Sequence, residues 1–119
     1  MKLGLIQMGA TLDKQDIVGG SIPEVDEAGK VYNTSFVFDS QGRQVARHRK
    51  MHLFDIDVKG GQSFRESATF TPGNEVTVFE TPWCKMGLCI CFDFRFPELA
   101  RLMVLQGAKG LVVPAAFNM

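Results

Sequence analysis

The sequence predicts an α/β protein with a mixed sheet, one clear β-α-β unit, and far more strand than helix. Three observations carry this. Met86, Leu88 and Ile90 supply an apolar run that stops at Cys91, and Pro97 stands where a first helical residue belongs. Thr34 to Asp39, a turn at Ser40-Gln41-Gly42, and Arg43 to His48 read as a hairpin. Leu111-Val112-Val113 follows a helix closed by Gly107, so residues 86–113 return a second strand parallel to the first.

The other elements follow in chain order. Residues 2–8 make a first strand, too short an apolar stretch for a signal peptide and without a cleavage site. Thr11-Leu12-Asp13-Lys14-Gln15-Asp16 carries helix-start chemistry, yet no helix follows. The chain runs at once into Ile17-Val18-Gly19-Gly20-Ser21-Ile22-Pro23, a strand-like run broken by glycines. Lys59-Gly60-Gly61-Gln62-Ser63 is a loop and Thr71-Pro72-Gly73-Asn74 a turn. Val76 to Glu80 is a strand, joined through Thr81-Pro82 to the one ending at Cys91, and Pro97 to Gln106 is the helix. One helix against about seven strands leaves sheet faces uncovered.

Bulk properties narrow the function classes. The chain has 119 residues with 13 basic and 13 acidic side chains, which gives no electrostatic case for nucleic acid or an anionic membrane. No apolar run approaches the roughly 20 residues a spanning helix needs. Three cysteines, Cys84, Cys89 and Cys91, make an odd set that argues against a disulfide framework and fits no common zinc spacing. A reducing, cytoplasmic setting is the expectation.

Cys91 is the candidate nucleophile. It lies at the carboxyl edge of a strand, where α/β folds place ligands, and near a helix amino end that favours thiolate and oxyanion. Cys89 lies on the same face by strand alternation, so periodicity alone does not choose between them, and either could be an inert buried thiol. Lys50, in Arg47-His48-Arg49-Lys50-Met51-His52-Leu53-Phe54-Asp55, has two readings. It can hold a thiolate and donate to a tetrahedral oxyanion, or it belongs to a basic edge strand that deters aggregation. His52 could form a dyad with the cysteine, oriented by Asp55 or Asp57, or serve as a structural hydrogen-bond partner. Taken alone, Glu66 and Glu24 read as surface carboxylates.

Two dense motifs together point to a family. Arg49-Lys50-x-His52-Leu53-Phe54-Asp55, then Gly87-Leu88-x-Ile90-Cys91-x-Asp93-x-Arg95-Phe96-Pro97-Glu98-Leu99, resembles the carbon–nitrogen hydrolase (nitrilase) superfamily. Gly19-Gly20-Ser21-Ile22-Pro23-Glu24, Tyr32-Asn33-Thr34, Phe64-Arg65-Glu66-Ser67 and Pro114-Ala115-Ala116-Phe117-Asn118 add to the match over nearly the whole chain. The combination is similar to the ω-amidase branch, which removes the terminal amide of small ω-amido-dicarboxylates such as α-ketoglutaramate and succinamate.

The resemblance implies Cys91 as the nucleophile that forms a thioester, and Lys50 with the Phe92 N–H as oxyanion donors. It implies Glu66 as the accessory glutamate that positions the lysine and the substrate, with Asp93, Arg95 and Asn118 in pocket-forming segments. It also implies an α-β-β-α sandwich, of which residues 1–119 are a partial domain, together with no cofactor or metal and homo-oligomers built through helices. The family's general base is a glutamate in a Leu-Pro-Glu-like segment after the second strand. The helix, strand and glutamate of that segment have no counterpart between Asp16 and Ile17, and the family's carboxyl-terminal half has none after Met119. Glu24 belongs to the later Ile22-Pro23-Glu24 segment and does not inherit the base role. The expectation is a chain inactive on its own, or one that pairs with a full-length homologue.

Overall fold

The computed structural model describes residues 3–6, 16–61 and 63–115. The strands are β1 (Leu3–Ile6), β2 (Asp16–Gly19), β3 (Ile22–Val25), β4 (Val31–Phe38), β5 (Gln44–Arg49), β6 (Asp55–Asp57), β7 (Ser63–Arg65), β8 (Thr77–Glu80), β9 (Lys85–Leu88) and β10 (Gly110–Val112). The one α-helix among the described residues is α1 (Pro97–Leu105), and 3-10 turns span Glu66–Ala68 and Cys91–Arg95.

The larger sheet is mixed. β1 pairs parallel with β2, and β4 pairs antiparallel with β2, β3 and β5. The run expected from Ile17 to Pro23 is therefore two strands, broken at Gly20-Ser21, that both pair with the long β4. The predicted hairpin is present as β4–β5, with a register shift at Val37/Phe38. Gly42 holds φ +79 in its turn, a conformation open to glycine because it lacks a Cβ. The smaller sheet has the order β10-β9-β8, with β10 parallel to β9. Residues 85–112 thus form the expected β-α-β unit. β6 and β7 make a short exposed hairpin on either side of the loop expected at Lys59–Ser63, its strands unassigned in the sequence because three-residue exposed strands leave no alternating pattern to read.

The layers are sheet on sheet on helix. Val18 and Val37 of the larger sheet pack against Phe79, Met86, Leu88 and Val112 of the smaller one. On the other face, Leu99 and Met103 of α1 pack with Cys89 and Ala108, flanked by Val78 and Leu111. Gly87 makes this approach possible. A Cβ there would meet Met103 Sδ at 2.5 Å and Leu111 Cδ2 at 2.8 Å. Pro97 begins α1 as predicted, since its missing N–H is one that a first turn leaves unpaired anyway. The helix ends at Leu105, one residue earlier than expected, with Gly107 at φ +100 just beyond.

Candidate active site

The strand-to-helix junction is sharper than a direct handover. The parallel ladder continues past β9, with Cys89 N–H donating to Val112 O at 3.1 Å and Cys91 N–H to Pro114 O at 2.9 Å. Ile90 is still extended, and then Cys91 takes φ +46, the only positive φ of a non-glycine among the described residues. A 3-10 turn over Cys91–Arg95 intervenes before α1. Such a left-handed conformation costs about 1–3 kcal/mol and persists only where surroundings over-determine it.

This turn separates the two cysteines that alternation left equivalent. Cys89 is buried in the α1-facing cluster. Burial pushes its thiol up to about 11, and the Asp93 charge adds to the shift. It is a poor source of thiolate near neutral pH. Cys91 is half-buried at the sheet's carboxyl edge, and it is the thiol a ligand can reach.

Lys50 is no exposed edge residue. It is 3% exposed, and its Nζ donates to Glu66 Oε2 at 2.6 Å. Glu66 is likewise buried, against the surface reading of that carboxylate. It also accepts from Phe54 N–H at 2.8 Å and Asn33 Nδ2 at 3.1 Å, so its position is fixed by three donors. The Asn33 carbonyl in turn accepts from Lys50 N–H at 2.8 Å. Glu24 is committed elsewhere, to Arg49 Nε at 2.6 Å, Thr34 Oγ1 at 3.1 Å and Arg47 at 3.2 Å. That agrees with leaving the base role off it.

Asp93 joins the Cys91 turn to the Lys50 segment. Its carboxylate accepts from Ile90 N–H (3.0 Å), His48 Nε2 (3.0 Å), His52 Nδ1 (2.8 Å), His52 N–H (2.8 Å) and Met51 N–H (3.2 Å). Burial works against its charge, but the bonds from His48, Ile90 and His52 outweigh that and hold its pKa below the usual carboxylate range. An aromatic seam reinforces the junction. Phe92 meets Phe54 edge-on at 5.1 Å and Phe96 at 5.2 Å, while His52 stacks on Phe96 at 3.7 Å.

Cys91, Lys50, Glu66, Phe92 and Asp93 therefore share one neighbourhood. Arg95 is exposed on the same turn, and Asn118 lies outside the described residues. The carboxylate beside His52 is Asp93, not Asp55 or Asp57. Asp55 instead accepts from Ser67 Oγ at 2.6 Å and Ser67 N–H at 3.0 Å. The sequence reading missed His48, whose Nδ1 lies 2.9 Å from Thr77 Oγ1 and whose partners sit far along the chain. It also gave Asn33 no role, although the Tyr32-Asn33-Thr34 match pointed to it. Among the described residues, no cluster of histidine, cysteine and carboxylate side chains has a metal-binding arrangement, and no helix is long and apolar enough to cross a membrane.

The fold and this site define a mixed-sheet α/β domain in which a cysteine on a strand-end turn is tied to a buried lysine–glutamate pair. The profile described as "Carbon-nitrogen hydrolase" matches residues 4–119, and the chain belongs to that family. It is 56% identical over 104 residues to Nitrilase homolog 2 of Dictyostelium discoideum, covering 87% of this chain and 32% of that protein. It is 55% identical over 103 residues to Omega-amidase NIT2 of Xenopus tropicalis, covering 87% and 37%. The chain thus spans about a third of the length of these curated relatives. Among solved structures it is similar to Nit3 of Saccharomyces cerevisiae, with a TM-score of 0.77, 43% identity, and coverage of 89% of this chain and 36% of that one. It also matches an amidase from Nesterenkonia, with a TM-score of 0.74, 26% identity, and coverage of 89% and 37%. That structure is of a glutamate-to-glutamine mutant of the enzyme and shows covalent addition of the acetamide moiety of fluoroacetamide at its active-site cysteine.

Proposed function

We propose that the chain carries the nucleophile, lysine and accessory glutamate of an ω-amidase-like hydrolase acting on a small linear amide. The observation that carries this is the buried Lys50–Glu66 pair, linked to the Cys91 turn through Asp93 and the Phe54–Phe92 contact. The names of the curated relatives favour an amide over a nitrile or a carbamoyl compound.

In this reading the Cys91 thiolate attacks the amide carbonyl carbon. The oxygen becomes a tetrahedral oxyanion that accepts from Lys50 Nζ and the Phe92 N–H. The carbon–nitrogen bond then breaks, the nitrogen takes a proton and leaves as ammonia, and a Cys91 thioester remains for water to hydrolyse. Glu66 holds the Lys50 side chain in place. The proton that leaves Cys91 and reaches the departing nitrogen needs a base, and the family's glutamate segment has no counterpart between Asp16 and Ile17. Losing general acid–base catalysis removes about 10²–10⁴-fold, and more where residues act as a unit. The 119-residue chain is therefore expected to release no ammonia from succinamate above a Cys91→Ala control. Turnover that vanishes with Cys91→Ala would overturn this, and Glu66→Gln would then test whether that carboxylate supplies the base.

The exposed Leu102, Val104 and Leu105 on α1 favour a second reading, in which the chain is a non-catalytic partner of a full-length homologue. Co-elution with such a homologue on size exclusion supports it, and separate elution at micromolar concentrations removes it. In either case the working setting is an aqueous, cytoplasmic one.

A further inference from the structure

We infer that Asp93 is a positioning residue, whose carboxylate clasps the imidazoles of His48 and His52 and so fixes the Cys91 turn against the Lys50 segment. Its side chain is fully buried, and donors from both sides of the junction occupy both oxygens. On one side, Ile90 N–H reaches Oδ2 at 3.0 Å while Asp93 N–H donates to Ile90 O at 3.0 Å. Side chain and backbone of one residue thus close the turn that holds Cys91 at φ +46. On the other side, Met51 and His52 N–H groups reach Oδ1, and these are the two residues directly after Lys50. His48, two residues before Lys50, reaches Oδ2 from the end of β5. The lysine is bracketed by residues bound to the carboxylate that closes the nucleophile's turn.

With both oxygens engaged in the protein interior, Asp93 does not contact substrate. It acts through Cys91 and Lys50, by setting where the sulfur stands relative to the ammonium. The inference rests on the amidase reading for what the turn presents to an amide, but the clasp itself does not depend on that reading.

The test uses the full chain and two thiol reagents at Cys91, read by peptide mass. Chloroacetamide carries a carboxamide that the Lys50 side can engage, whereas methyl methanethiosulfonate reports thiol exposure alone. Asp93→Asn should lower the chloroacetamide rate relative to the thiosulfonate rate by about tenfold to a hundredfold, as misplacement near 1 Å does. It should also abolish hydrogen-exchange protection on the side where the amide NH2 replaces a carboxylate oxygen, at Ile90 N–H or at the Met51 and His52 N–H groups, while the α1 bond from Gln106 N–H to Leu102 O stays protected. Val37→Ala, a core truncation, should lower stability without changing the reagent ratio; an equal drop there would overturn the inference. So would an Asp93→Asn chain with an unchanged ratio and unchanged exchange. If Asp93→Asn does not fold, His52→Phe removes one arm while keeping a ring on Phe96, and it should give a smaller fall in the ratio. An unchanged ratio in His52→Phe counts against the clasp. A wild-type chain with no preference for chloroacetamide beyond that of free cysteine would defeat the amidase reading alone. Exchange at these N–H groups then decides the clasp, its loss on either side in Asp93→Asn supporting it and its retention on both sides overturning it.

Discussion

At the scale of single residues, the chain places charge and strain where a folded domain otherwise avoids them. Lys50 and Glu66 are buried together, and desolvating two such ions is repaid only when geometry and further hydrogen bonds are good. Here Phe54 N–H and Asn33 supply those bonds. Glu66→Gln leaves the Lys50 ammonium without its counter-charge, and should destabilise the chain by about 3–5 kcal/mol in urea unfolding. A loss below about 1 kcal/mol, the range of surface pairs, would mean that water reaches the pair. The Cys91 backbone gives a second prediction. Cys91→Ala keeps a Cβ at φ +46 and Cys91→Gly removes it, so the glycine variant should be the more stable by about 1 kcal/mol. Equal stabilities would show that the turn is unstrained. Neither feature was fully legible in the sequence. Charge spacing around Lys50 fits an edge strand as well as a buried pair, because Glu66 is 16 residues away and only the fold brings it into contact.

At the scale of elements, legibility followed how local the determining forces are. The β4–β5 hairpin and α1 were readable because turn chemistry, Pro97 and Gly107 sit within the elements themselves. Gly19-Gly20 marked the break between β2 and β3, but the pairing of both strands with β4 was not readable, since it joins separate stretches of chain. The β6–β7 hairpin buries too little to impose a pattern. The role of Gly87 was also hidden. As a glycine in a strand it reads as a weakness, yet it is what lets Met103 of α1 approach β9. Gly87→Ala should therefore destabilise by about 1–3 kcal/mol, the range for overpacking, seen as a lower urea midpoint with unchanged m. If Met103 swings aside without strain, the variant will match wild type. Met103→Ala placed with Gly87→Ala would then restore nothing, and the close approach would carry no energy.

At the scale of the whole molecule, the two larger sheets and α1 are held by apolar clusters, but the junction between them at the Cys91 edge is polar. Asp93 is its centre, joining β5 through His48, the following loop through Met51 and His52, and the end of β9 through Ile90. The pairing of His48 with Asp93 across 45 residues leaves no local signal, which is why the sequence marked Asp93 only through a motif. Its consequence is measurable as a pH dependence. The folded-state pKa of Asp93 is depressed, so its contribution to stability is complete above the unfolded value near 3.9 and is lost as pH falls through the lower folded value. Other depressed carboxylates, Glu24, Asp26, Asp39 and Asp55, add to the acid limb and are unaffected by a change at Asp93. Asp93→Asn should therefore be less stable than wild type at neutral pH, with the gap narrowing as pH falls from about 5 to below about 3. The measurement is a pair of urea titrations at each pH. A gap that stays constant into acid would mean that folding leaves the acidity of Asp93 unchanged, and a gap that widens there would mean that Asp93 is neutral in the folded chain. The two histidines would then be held by a carboxylic acid, and the junction's strength would come from shape instead of charge.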